Sequence, residues 1–309
     1  MRVLTVRDGL TESTDELDAV AVDEQGHVLG SWGNADRALY YRSAIKPIQA
    51  TVALEAGSAL VPEHLAVACA SHSAYPIHLA IVHAMLEGVG LHEDDLGCPP
   101  AWPLEEGARQ LLVAEGERRP RAIFHNCSGK HASFLRACVA QDWPRQSYLD
   151  PNHPLQRRVI ARVADVSGVV ATPLAVDGCG APGPRGTVRG LAHIYSRLTT
   201  DQAFRPAVDA MHRYGALVSG AHRIDALPSR WWGGALKIGA EGLVGAGRHG
   251  LGISVKSRSG SRRSALVGLM EVMRLLGVLS EAAQSALAET ARPTVLGGGR
   301  PRGAVVAET

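Results

Sequence analysis

A chain of 309 residues, 46% hydrophobic and 20% charged with a net charge of +2, can bury a substantial core and fits one large domain or two intimate lobes better than a string of modules. That charge balance gives no call for nucleic acid or an anionic membrane surface. Five cysteines, odd in number and widely spaced (Cys69, Cys98, Cys127, Cys138, Cys179), speak for reduced thiols or a metal site rather than a disulfide framework.

The N-terminal "MRVLTVRDGLTES" has no apolar signal-peptide core, and a cytoplasmic protein is expected. "DAVAVDEQGHVLGSWG" alternates apolar and polar residues on both sides of Glu24-Gln25-Gly26 and predicts an antiparallel hairpin. Apolar residues three to four apart then predict helices over roughly 44–56, 77–89, 105–115, 130–141, 154–166, 187–198 and 202–214. Gly57 and Gly88 serve as closing residues. After "RWWGG" the period becomes two, so "GALKIG", "GLVGAG" and "GLGISVKS" read as short strands joined by glycine turns. A final helix over about 263–277 and a short one complete the chain, and its run "SALVGLMEVMRLLGVL" is broken by Glu271 and Arg274 and cannot span a membrane. The expectation is an α+β fold: a mainly antiparallel sheet from 1–40 and 232–309, flanking helices, and a helical middle over 44–215. There is no internal repeat, and the Trp231-Trp232 pair reads as packing between elements.

Only four of the 32 basic residues are lysines: Lys46, Lys130, Lys237 and Lys256. Arginine cannot give up its proton in a protein, whereas a desolvated or crowded lysine can, so the lysines are candidates for amine chemistry. Codon bias would leave the same pattern. In "RSAIKPIQA" Ser43 stands three residues before Lys46, on the same side of a starting helix, with Pro47 tolerable only in its first turn. A neutral amine beside a serine could act as its general base. Ser-x-x-Lys enzymes of the β-lactamase group add a second hydroxyl and a second lysine across the cleft. "CASHS" offers Ser71 and Ser73, and "ALKIG" offers Lys237, although neither Ser-Asp-Asn nor Lys-Thr-Gly is present. Ser71 could equally be a helix cap.

A second constellation joins "HNCSGKHAS" and "DGCGAP". Cys127 and Cys179 stand in glycine-containing loops beside His125, Lys130, His131 and Asp177. Two thiolates and one nitrogen would make a three-ligand zinc site with an open position, and ordinary buried cysteines are the plain alternative.

Together, "RSAIKPIQ", "CASHS", "HNCSGKH", "DGCGAP", "LKIGAEG" and "GLGISVK" resemble the Rhizobium etli type L-asparaginases, the asparaginase II family, over nearly the whole chain. The resemblance implies a fold like that of serine β-lactamases and penicillin-binding proteins, and hydrolysis of L-asparagine to L-aspartate and ammonia. It further implies a homodimer, two Ser-Lys pairs (Ser43 with Lys46, Ser71 with Lys237), and zinc held by Cys127, Lys130 and Cys179. Asp177 would hold the substrate ammonium or a metal-bound water, and Arg42 or His131 would lie near the substrate carboxylate. Two positions depart from the family's pattern: Asp15 and Ala101 stand where histidines are usual. They keep open an altered substrate choice or an inactive metal- or small-molecule-binding relative. A hydrolase of β-lactams or D-Ala-D-Ala peptides is the other rival, and the lack of a signal sequence weighs against it.

Overall fold

The computed structural model describes residues 1–219 and 226–309. Four strands open the chain: β1 (Arg2–Arg7), β2 (Leu10–Val22), β3 (Val28–Trp32) and β4 (Ala38–Tyr40). Six helices follow: α1 (Lys46–Glu55), α2 (Pro62–Cys69), α3 (Pro76–Glu87), α4 (Glu106–Ala114), α5 (Ser128–Ala140) and α6 (Pro154–Ser167). Short strands β5 (Ala175–Val176), β6 (Pro182–Gly183) and β7 (Arg185–Thr187) lead into α7 (Val188–Leu198), α8 (Arg205–Arg213), α9 (Gly215–Ser219) and α10 (Ala226–Trp232). The chain ends with β8 (Ala235–Ile238), β9 (Leu243–Arg248), β10 (Leu251–Ser257), α11 (Arg262–Leu275), α12 (Glu281–Ala286), α13 (Ala288–Ala291), β11 (Thr294–Gly297) and β12 (Arg300–Glu308).

The two ends of the chain build one antiparallel sheet in the order β11-β12-β1-β2-β10-β9-β8, with β3 also paired to β2. The 13-residue β2 makes this possible: its first half pairs with β1, and its second half runs between β3 and β10. Alternation along β2 sends Val20 and Val22 into the core shared with α7, and Ala19 and Ala21 into the core shared with α11. The sheet is therefore covered on both faces. Beyond it, α1, α2, α3, α5 and α6 pack around a core containing Ile48, Val67, Met85, Phe134 and Val159.

The hairpin expected around Glu24-Gln25-Gly26 is β2–β3, closed by the Asp23 carboxylate accepting from the backbone of Gln25 and His27. The periodic helices lie where expected to within a few residues. The segment 202–214 divides into a short 3-10 turn and α8. Sequence reading missed several elements, among them α2, the β1–β2 hairpin and the closing β11–β12 hairpin. Helix α2 is only eight residues long, which is too short for a helical period to declare itself. The β1–β2 hairpin turns at Asp8-Gly9, with φ of 45° and 83°, the left-handed turn that Asp-Gly favours.

Candidate active site

Residues Arg42–Ile45 form a single 3-10 turn that runs into α1 at Lys46, and Pro47 sits in the first turn of α1 where its missing N–H costs nothing. Arg42 itself is in the left-handed region, at φ 49°, so the turn is held in place by its neighbours. The Lys46 side chain is buried and its amine lies 2.5 Å from the Ala70 carbonyl, 3.1 Å from the Ser71 hydroxyl and 3.3 Å from the Asn126 carbonyl. At Ala70 the backbone turns from α2 into an extended conformation, which lays Ser71 and His72 past that amine. Thus the hydroxyl bonded to Lys46 is that of Ser71. No hydrogen bond of the Ser43 hydroxyl forms among the described residues, although Ser43 lies in the same turn and accepts the Lys46 N–H through its carbonyl.

Lys237 enters from β8, fully buried, and donates to the Ile238 carbonyl at 2.9 Å. Burial pushes the Cys69 thiol up to about 12, against the opposing charges of Lys237 and Lys46. For Lys46, desolvation is the largest cause and the net shift is downward, toward the neutral amine.

The second cluster lies alongside. Cys127 caps the start of α5, Lys130 follows in its first turn, and Cys179 sits in the turn between β5 and β6. The Lys130 amine is 3.0 Å from the Cys179 sulfur. A hydrogen bond from Cys127 holds the Cys179 thiol well below its ordinary pKa, and the same contact, with burial, raises Cys127. Desolvation alone would lower Lys130; the two sulfurs overcome it and keep the amine charged in a lysinium–thiolate arrangement.

His131 is buried next to this cluster and its Nδ1 lies 2.6 Å from Tyr148 Oη. That oxygen also accepts from the Gly97 N–H at 2.7 Å. Nothing in the sequence pattern marks Tyr148. Asn126, whose carbonyl ties the cysteine loop to Lys46, lies inside the quoted "HNCSGKH" but was not singled out. Desolvation also keeps the His131 imidazole neutral.

Three donors, Cys127, Lys130 and Cys179, converge and could hold a metal. Two sulfurs and an amine suit zinc in ligand type, provided that Lys130 gives up its proton. Among the described residues no group of three or more His, Cys, Asp or Glu side chains could do so, so a metal here would depend on the lysine.

One ion pair joins the clusters. Arg42 Nε lies 2.7 Å from Asp177 Oδ1, linking the turn that holds Ser43 to the turn that holds Cys179. Asp15 lies elsewhere, accepting from the hydroxyls of Ser257 at 2.7 Å and Ser259 at 2.8 Å. Ala101 makes a backbone bridge with Arg121, and Trp232 is buried with its indole N–H on the Gly247 carbonyl at 3.0 Å. The other expected second hydroxyl, Ser73, bonds the Glu105 carboxylate.

The profile of the family described as L-asparaginase II matches residues 3–307. The chain belongs to that family. Its mainly antiparallel sheet between helices is the α+β arrangement of the family's serine β-lactamase-like fold. Among solved structures this L-asparaginase II member is similar to Mglu in its native form in 4.3 M NaCl, at 17% identity over 84% of this chain and 60% of that one, with a TM-score of 0.45. It is also similar to Mglu in its tris and glutamate form, at 18% identity over 88% of this chain and 62% of that one, with a TM-score of 0.44. The chain thus spans about three fifths of the Mglu chains it matches. No curated protein matches it. No helix among the described residues is long and apolar enough to cross a membrane.

Proposed function

We propose that this protein is an amidohydrolase that cleaves the side-chain amide of L-asparagine to L-aspartate and ammonia through a covalent acyl-enzyme. The observation that carries the reading is the buried Lys46 amine, set among two carbonyls and the Ser71 hydroxyl at the end of the turn that holds Ser43. A neutral amine has two N–H donors and one lone pair. With the donors on Ala70 and Asn126, the lone pair faces the Ser71 hydroxyl, which suits Lys46 as a base.

In this reading Ser43 Oγ attacks the carboxamide carbon while its proton passes by way of Ser71 to Lys46, and backbone N–H groups hold the oxyanion. The C–N bond then breaks, the nitrogen takes a proton and leaves as ammonia, and water hydrolyses the ester. Lys237 supplies the second amine of the cleft. The contact between the Ser71 hydroxyl and the Lys46 amine also favours a second assignment, in which Ser71 attacks directly and gives its proton to Lys46. Arg42 and Asp177 would take the α-carboxylate and α-ammonium of the substrate. Cys127, Lys130 and Cys179 would hold zinc, whose part would be to brace the two loops and tune affinity.

The test is ammonia release from L-asparagine, assayed beside L-glutamine, β-aspartyl dipeptides and nitrocefin. Preferential turnover of L-asparagine supports the proposal. Turnover of glutamine alone, of nitrocefin alone or of none of them would overturn it. Mass spectrometry of the quenched acyl-enzyme separates Ser43 from Ser71.

A further inference from the structure

We propose that Tyr195 is a positioning residue for this reaction, locking the turn that presents Ser43 and Lys46 onto the sheet beside the strand of Lys237. The inference rests on the reading of that turn as reactive, and adds what holds it in register.

Tyr195 lies on α7, outside every motif of the site, and is wholly buried. Its hydroxyl donates to the Ala44 carbonyl at 2.7 Å. Ala44 stands between Ser43 and Lys46, so the bond acts on the turn itself whichever serine attacks. Burial raises the phenol well above its ordinary pKa, which keeps the group a donor at any working pH.

The other end of the side chain is fixed by β9. A Cβ added at Gly245 would come within 2.1 Å of the Tyr195 ring, so the ring lies in a slot that only glycine leaves open. In the register of the sheet Gly245 pairs with Lys237. The end of β8 also touches the turn directly: a Cβ on Gly239 would lie 3.4 Å from the Tyr41 carbonyl oxygen and 3.5 Å from the Ala44 nitrogen. A single rigid side chain therefore spans from the strand pair bearing one amine to the turn bearing the other. That turn starts at a left-handed arginine and needs such external restraint.

Tyr195→Phe keeps the ring in its slot and removes only the hydroxyl. The matched control is Ser196→Ala, which removes buried bonds of the next residue on the same helix, to the Gly250 carbonyl at 2.7 Å and the Asp23 carbonyl at 3.1 Å. Both variants are assayed at 15 °C after thermal melts confirm that they are folded. The expected result is a fall in kcat of about 10- to 100-fold for Tyr195→Phe with KM within about two-fold, the size that a slight misplacement of reacting groups produces. Ser196→Ala keeps its kcat. Equal kcat in the two variants, or a loss confined to KM, overturns the proposal. Lys46→Arg is run in parallel: if it stays active, the parent reading falls and this one with it. If it is dead while Tyr195→Phe is fully active, only the positioning role falls.

Discussion

Replacing Lys46 with arginine preserves the charge on a somewhat bulkier side chain but removes the capacity to become neutral. Turnover should fall by about 10²- to 10⁴-fold, the usual share of a general base, with far-UV circular dichroism unchanged. Retention of most activity would remove Lys46 from the reaction. The pH dependence has a definite sign. In the proposed mechanism the working form is the neutral amine, and burial lowers the Lys46 pKa below the ordinary 10.5, so kcat/KM should rise with pH through that lowered value and then level off. A rate that falls steadily as pH rises from neutrality speaks against an amine base. At the other cluster, Cys179→Ser should abolish stoichiometric zinc in protein purified with the metal, read by elemental analysis. Zinc content equal to the parent's would take Cys179 out of the ligand set. Residue types were the most legible layer of this protein: four lysines stand out beside 28 arginines, and three of them, Lys46, Lys130 and Lys237, are buried. What spacing could not give was partnership. Ser43 precedes Lys46 by three residues, yet the flexible lysine stem carries the amine to Ser71 and two carbonyls that arrive from α2 and the cysteine loop.

At the scale of elements, the fourth lysine has a different task. Lys256 on β10 donates to the Glu241 carbonyl at 2.7 Å and also reaches the Ser257 carbonyl. Glu241 and Gly242 form the β8–β9 turn with φ of 58° and 63°, a conformation unfavourable for glutamate, and this turn follows directly on the strand of Lys237. Lys256→Met should lower stability by about 1 kcal/mol in urea unfolding, the net worth of a typical hydrogen bond. An unchanged midpoint would show that the turn holds itself. Long periodic helices and the β2–β3 hairpin could be read from sequence because one face of each meets the core. Helix α2 could not, since most of its length, from Leu65 to Cys69, is buried on every side and offers no contrast between faces.

The whole molecule is closed by its two ends, with β1 lying between β2 and β12. Periodicity at both termini foretold a shared sheet, but the pairing order depends on contacts hundreds of residues apart that no local pattern encodes. One buried carboxylate ties these regions: Asp18 accepts from Arg258 Nη2 at 2.8 Å and the Asn34 N–H at 2.8 Å, and it pairs with Arg37. Burial alone would raise its pKa; the hydrogen bonds from Arg258, Asn34 and Arg37 prevail and the net shift is downward. A carboxylate with a depressed folded-state pKa stabilises above its unfolded value near 3.8, and that stability is lost as pH falls through the folded value. Asp18→Asn should therefore melt below the parent at pH 7, with the gap closing as pH drops below 3.8. A gap that does not depend on pH would assign the loss to packing.

The scarcity of lysine has an outcome for handling the protein. With Lys46, Lys130 and Lys237 all buried, the accessible primary amines of the folded chain reduce to Lys256 and the N-terminus. An acylating dye should mark the native molecule at those two places and reach the other three only as the interior opens. The reagent's uptake would then count unfolding events one amine at a time.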